Sequence, residues 1–150
     1  MEYAKETLTN TARMMYDCGF SGIAGIETMG KVNQLGTLDE VLELCTLDSR
    51  LVPCVDFGHL NSRTLGGTNS REAYAAVIDA IGEALGEERQ RSFHIHFSKI
   101  EYTGGGEKKH LTFADDVFGP DPSPLMELMQ KTGSAPASSS SSTVFTDFYF

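Results

Sequence analysis

Residues 92–98 read Ser92-Phe93-His94-Ile95-His96-Phe97-Ser98, and the alternation in this stretch decides the fold class. Strand side chains point to opposite faces with a period of two, so Phe93, Ile95 and Phe97 share one face and His94 and His96 the other. Working back toward the N-terminus, Ser70 is placed to cap a helix whose Tyr74, Val77, Ile78, Ile81 and Leu85 recur at helical spacing. A Gly-rich loop precedes it. Before that loop, Leu51 to Asp56 reads as a strand, although Pro53 is an unusual residue inside one. Thr37-Leu38-Asp39-Glu40 fits a capping box, and Leu38, Val41, Leu42 and Cys45 line one face of the helix it opens. Ser21 to Glu27 reads as a short buried strand. Residues 3–18 form a leading helix with Leu8, Ala12 and Met15 at helical spacing and Gly19 as its stop. Working forward from residue 98, a long polar loop is expected to about residue 121, with Gly104-Gly105-Gly106 as a flexible turn. Pro124 to Lys131 then reads as one more short helix.

Strands that alternate with helices in this way indicate βαβ units around a parallel sheet. The class is α/β, with about three to four βα units. A closed eight-unit barrel takes about 250 residues, and this chain has 150. The sheet is therefore either open and doubly wound or part of a barrel. No GxGxxG or P-loop pattern follows any strand, which argues against a nucleotide fold.

Composition narrows the function classes. The formal charge of −9 opposes non-specific binding to a phosphate backbone, but it leaves room for carboxylates gathered at a metal site. No apolar run is long enough to span a membrane. The start Met1-Glu2-Tyr3-Ala4-Lys5-Glu6 lacks the order of a signal peptide, so a cytoplasmic location is expected. Cys18, Cys45 and Cys54 form no CxxC pair and read as small buried hydrophobes rather than zinc ligands.

The chemistry gathers where the strands end. Glu27 closes the first strand, Asp56 the second, and His96 lies near the end of the third. Sites in parallel α/β proteins form at those carboxyl ends, and carboxylate with imidazole suits zinc, manganese or iron. His59 follows Asp56 by three residues, and His110 sits in the loop after the third strand, so all four histidines fall on or near one rim. Taken singly, each residue has a plainer reading. A strand-end carboxylate is commonly a helix N-cap, and two strand histidines can be satisfied by hydrogen bonds. Their joint placement is what points to metal.

Three segments, Glu27-Thr28-Met29-Gly30, Val55-Asp56-Phe57-Gly58-His59 and His96-Phe97-Ser98-Lys99, together with the loop Gln34-Leu35-Gly36, resemble the successive strand-end motifs of the endonuclease IV family. That family belongs to the xylose isomerase-like (β/α) barrels, and the likeness runs from residue 1 to about 131. It implies a partial TIM barrel. It also implies that Glu27 bridges two metals and serves the chemistry, that Asp56 and His96 bind one of those metals, and that His59 and His110 bind a third. Zinc is the first metal expected and manganese the second. The implied reaction is metal-dependent hydrolysis of DNA 5′ to an abasic nucleotide, with Arg63 and Lys99 near the rim as phosphate contacts.

The chain departs from the family pattern at several points. The family's aspartate two residues before its loop histidine is Lys108 here, with Glu107 one place further back as the possible substitute ligand. The early strands with two histidine ligands have no counterpart, and no glutamate follows Glu127. Residues 132–150 begin Thr132-Gly133-Ser134-Ala135-Pro136 and run through five serines, Ser138 to Ser142, which reads as a disordered or aberrant tail, from a frameshift or a truncated frame. Thr143 to Phe150 is β-prone and is expected to add an edge strand or to promote sticking. Three functions stay open: an abasic-site phosphodiesterase, a sugar isomerase or epimerase relative acting on a small sugar or sugar phosphate, and a non-catalytic remnant. Open sheet edges also invite self-association.

Overall fold

The computed structural model describes residues 1–131 and 146–148. A parallel sheet orders β1 (Ala24–Glu27), β2 (Leu51–Asp56) and β3 (His94–Phe97) side by side. Glu27 pairs with Cys54, which pairs with His94, and Asp56 pairs with His96, so β1 ends two residues short of the Asp56–His96 pair. The edge strand expected near the C-terminus is met at β6 (Thr146–Phe148), which runs parallel to β3 with Ile95 opposite Thr146. The serine run lies outside the described residues. The architecture is thus mixed α/β with parallel strands, compatible with a partial βα arrangement.

Packing on one face of this sheet follows from the helix patterns. The helix α2 (Leu38–Cys45) opens with the capping box: Glu40 N–H donates to Thr37 Oγ1 at 3.2 Å and Thr37 N–H to Glu40 Oε2 at 2.9 Å. Bonds from the Gly36 and Thr37 amides hold the Glu40 carboxyl below the usual carboxylate range. Ser70 likewise caps α4 (Arg71–Leu85), accepting from Ala73 N–H at 3.2 Å. Tyr74, Val77 and Ile81 of α4 pack with Leu42, Val55, Phe57, Ile95, Phe97 and Leu125 in the main core. Burial of each such side chain stabilises by roughly 2 kcal/mol. Leu125 is carried by α6 (Ser123–Lys131), and the leading helix α1 (Glu2–Asp17) adds Leu8 to a smaller cluster with Val41, Cys45 and Leu51.

Pro53 is accommodated by register. The Cys54 carbonyl accepts from Thr28 N–H at 3.0 Å, so the Cys54 backbone faces β1. By alternation the Pro53 nitrogen turns toward the β3 side, one residue before the first pair Cys54–His94. The missing donor therefore falls where the ladder has not yet begun.

Three elements differ from the sequence reading. The first strand begins at Ala24, not Ser21. A helix, α3 (Phe57–Arg63), follows β2 directly, where a loop was expected; its Gly58, Asn61 and Ser62 are weak helix formers and hid it. The polar stretch after residue 98 is not a loop but an antiparallel hairpin of β4 (Lys99–Thr103) and β5 (Gly106–Leu111). Its two-residue turn is Gly104-Gly105, between the paired Thr103 and Gly106. A four-residue helix, α5 (Glu87–Gln90), completes the described elements.

Candidate metal centre

The ends of the three adjacent strands bring Glu27, Asp56 and His96 together, each offering an atom within 4.8 Å of the others. His96 Nδ1 and Glu27 Oε1 are 2.8 Å apart, a hydrogen bond in which the imidazole donates. Asp56 is 1% exposed and is the helix N-cap that the plainer reading of a strand-end carboxylate expects. Its Oδ1 accepts from His59 N–H at 3.0 Å as the N-cap of α3, while Oδ2 remains 3.5 Å from His59 Nδ1. The carboxylate is thereby fixed by its own helix and still faces the rim.

Helix α3 exists at this angle because Gly58 permits it. A Cβ there would stand 2.4 Å from the Ser98 carbonyl oxygen, so only glycine lets the first turn approach the end of β3. One turn in, His59 is 7% exposed, and its Nδ1 lies 2.8 Å from the Thr28 carbonyl oxygen. A carbonyl only accepts, so Nδ1 carries the proton, and the neutral ring has its lone pair on Nε2. That is the arrangement found behind metal-binding histidines, in which a backbone carbonyl fixes the tautomer. Thr28 is fully buried and acts twice, since its Oγ1 also accepts from Asp56 N–H at 2.9 Å.

The hairpin delivers the remaining groups. His59 Nε2 is 3.5 Å from Glu107 Oε2, and His110 Nε2 is 3.5 Å from Glu107 Oε1. Two ligands held at about 2.1 Å on one tetrahedral ion stand about 3.4 Å apart. The 3.5 Å between His59 Nε2 and Glu107 Oε2 is close to that spacing, so the pair could hold a shared cation. His110 is oriented from behind by Ser98 Oγ at 2.9 Å from its Nδ1. Glu107 reaches this position because Gly30 has no side chain: an added Cβ would meet Glu107 Cβ and Oε2 at 2.7 Å and Ser62 Oγ at 2.8 Å. Exposure rises outward, from 8% at the His59 side chain through 17% at Glu107 to 39% at Glu27 and 44% at His110.

The five residues singled out as ligands thus converge on one rim, with Glu107 joining them. His110 and Glu107 arrive on a strand, where a loop had been expected. Arg63 has a different task from phosphate contact. Its guanidinium donates to four backbone carbonyls, those of Met29 (3.2 Å), Lys31 (2.7 Å), Val32 (3.0 Å) and Gln34 (3.0 Å), and so clamps the loop after β1. Lys99 Nζ donates to the Asp115 carbonyl and pins the turn that follows the hairpin. His94 lies one layer below the rim, on the same face as His96. Of the cysteines, Cys45 and Cys54 are buried as expected, but Cys18 is exposed.

Comparison with known proteins gives one relative and no family. An uncharacterized protein of Methanocaldococcus jannaschii is 38% identical over 92 residues, which are 61% of this chain and 33% of the relative. The chain therefore spans about a third of the length of the curated relative it matches. No family model matches the chain, and no solved structure matches it. Among the described residues no helix is long and apolar enough to cross a membrane.

Proposed function

We propose that the rim is a divalent-metal centre for phosphodiester hydrolysis of the endonuclease IV type, with zinc or manganese as the ion and abasic DNA as the substrate. The observation that carries this reading is Glu107, whose two oxygens lie 3.5 Å from His59 Nε2 and His110 Nε2. The carboxylate that Lys108 denies the site is supplied from the adjacent position of the same strand. This favours a phosphate-handling centre over the sugar-isomerase alternative, which drew its support from the missing aspartate. The donor set, imidazole nitrogens and carboxylate oxygens, suits zinc and manganese.

When bound, such ions supply Lewis acidity and lower the pKa of water near the scissile phosphate. The chain's own residues prepare for that. Thr28 holds the His59 proton at Nδ1, Ser98 orients His110, and α3 fixes Asp56. Glu27, at the open end of the cluster, is the carboxylate best placed to meet substrate. Because the chain spans a third of its relative, the activity of the whole protein is part of the proposal. The test is cleavage of an abasic-site duplex by the full chain with zinc or manganese added. Cleavage lost in Glu27→Gln, with the fold retained by circular dichroism, supports the reading. A folded, metal-loaded chain that cleaves no abasic duplex overturns it.

A further inference from the structure

The same face of the sheet carries a second donor set, which overlaps the rim at His96. Cys54 on β2 is paired in register with His94 on β3, and His96 follows two residues later on the same face. Their sulfur and nitrogen atoms all lie within 4.8 Å of one another. Cys54 Sγ is 3.6 Å from His96 Nδ1 and 3.7 Å from Nε2. The two imidazoles meet edge to face with centroids 4.8 Å apart. A thiolate at about 2.3 Å and an imidazole nitrogen at about 2.1 Å on one tetrahedral zinc stand about 3.6 Å apart. The Cys54–His96 separation, which also suits an S–H···N hydrogen bond, matches the spacing of two ligands around a common ion.

Two neighbours reinforce the arrangement. Glu27 Oε1 accepts a hydrogen bond from His96 Nδ1–H at 2.8 Å, the tautomer of the neutral ring in which Nε2 bears the lone pair. A carboxylate behind a histidine in this way fixes its tautomer and raises its basicity toward a metal. Gly25 leaves the space beside Cys54 unfilled, where an added Cβ would only just touch Cys54 Cβ at 3.4 Å. The donors line an open groove of about 420 Å³. The other two cysteines differ. Cys45 is buried among apolar neighbours, which pushes its thiol up to about 12, and Cys18 is exposed just past the end of α1.

We propose that Cys54, His94 and His96 form a second metal site, which shares His96 with the rim cluster and takes a borderline-soft divalent ion such as zinc. Binding releases the Cys54 thiol proton to solvent and forms the metal–thiolate bond. Three protein ligands among the described residues are the donor count of a zinc site that admits an exchangeable fourth ligand. The proposal stands independently of the hydrolase reading.

The test is titration of the full chain, in a Cys18→Ser background, with Co²⁺. The expected result is a near-ultraviolet thiolate-to-cobalt charge-transfer band that saturates at one cobalt per chain. Cys54→Ser should abolish the band, and His94→Gln should weaken cobalt binding about 10–100-fold. Asp56→Ala, which removes a carboxylate outside this donor set, should leave the band in place in the folded chain. No band in the folded Cys18→Ser chain, or one that survives Cys54→Ser, overturns the proposal. If Cys54→Ser fails to fold, His94→Gln decides: unchanged affinity rejects the site and weakened affinity supports it. Absence of abasic-site cleavage with the cobalt band present rejects the hydrolase reading alone, and absence of the band with cleavage present rejects this site alone, so the two readings fail separately.

Discussion

At the residue scale, Arg63 shows how one side chain can hold a site without touching a ligand. Its four carbonyl acceptors all lie on residues 29–34, the loop that carries Gly30 past Glu107. Hydrogen bonds from a charged donor are worth more than neutral ones, though this guanidinium is half-exposed and partly screened. Arg63→Ala should therefore cost about 2 kcal/mol of unfolding free energy. Arg63→Lys should recover little, because an ammonium cannot span four carbonyls as a planar fork does. Urea denaturation of the three proteins checks this, and a loss below about 0.5 kcal/mol for the alanine variant would contradict the clamp. A second residue-scale effect is Asp48. Hydrogen bonds from the Arg50 side chain and amide pull its carboxyl down to about 2. A depressed carboxylate stabilises the fold above its unfolded value of 3.8 and loses that contribution as pH falls through about 2. The stability gap between the native chain and Asp48→Asn should accordingly be full at neutral pH and shrink on acidification, as followed by denaturation at a series of pH values.

At the element scale, the hairpin β4–β5 is the part on which the rim depends most. Gly106 adopts φ +86° and would place a Cβ 2.2 Å from the Gly30 carbonyl oxygen, the same oxygen that accepts from Glu107 N–H at 3.0 Å. Gly106→Ala should therefore lift the hairpin off the loop after β1 and withdraw Glu107 and His110 from His59. Zinc affinity at the rim should fall at least tenfold by calorimetry. The far-ultraviolet spectrum should change little, because the hairpin contributes Ile100 alone to the fully buried large side chains. Wild-type affinity in this variant would sever the link between hairpin and site. Much at this scale could be read from the sequence. Thr37 and Glu40 announced α2, Ser70 announced α4, and period two announced β3, because each rests on contacts within a few residues. The hairpin was missed although Gly104-Gly105 is a turn signal, since Gly106-Glu107-Lys108-Lys109-His110 has no apolar face to mark it as a strand. It is held by backbone contacts with residues 30–32, which no local pattern encodes. For the same reason Glu107 was visible only as a substitute beside Lys108, whereas Glu27, Asp56 and His96 could be placed from strand ends alone.

At the scale of the whole molecule, the proposed ligands come from β1, β2, α3, β3 and β5, which no short segment brings together. An ion that binds this assembly and not the unfolded chain must stabilise the fold. At a free concentration 100 times its dissociation constant, the gain is about 2.7 kcal/mol. Thermal unfolding should therefore shift upward with added zinc and return on chelation, and the shift should shrink in His59→Ala. An unfolding temperature indifferent to zinc would mean that the convergence of these side chains does not amount to a binding site.

Ile95 sits between His94 and His96 and is fully buried against the helices, while the two imidazoles face the other way. Val55 stands in the same relation to Cys54 and Asp56. Neighbouring letters of the chain thus answer to separate constraints, one to packing and the next to chemistry. A lineage carrying this sheet can exchange one ligand set for another, one substitution at a time, without repacking its interior, so descendants with different metals or none can share a nearly unchanged scaffold.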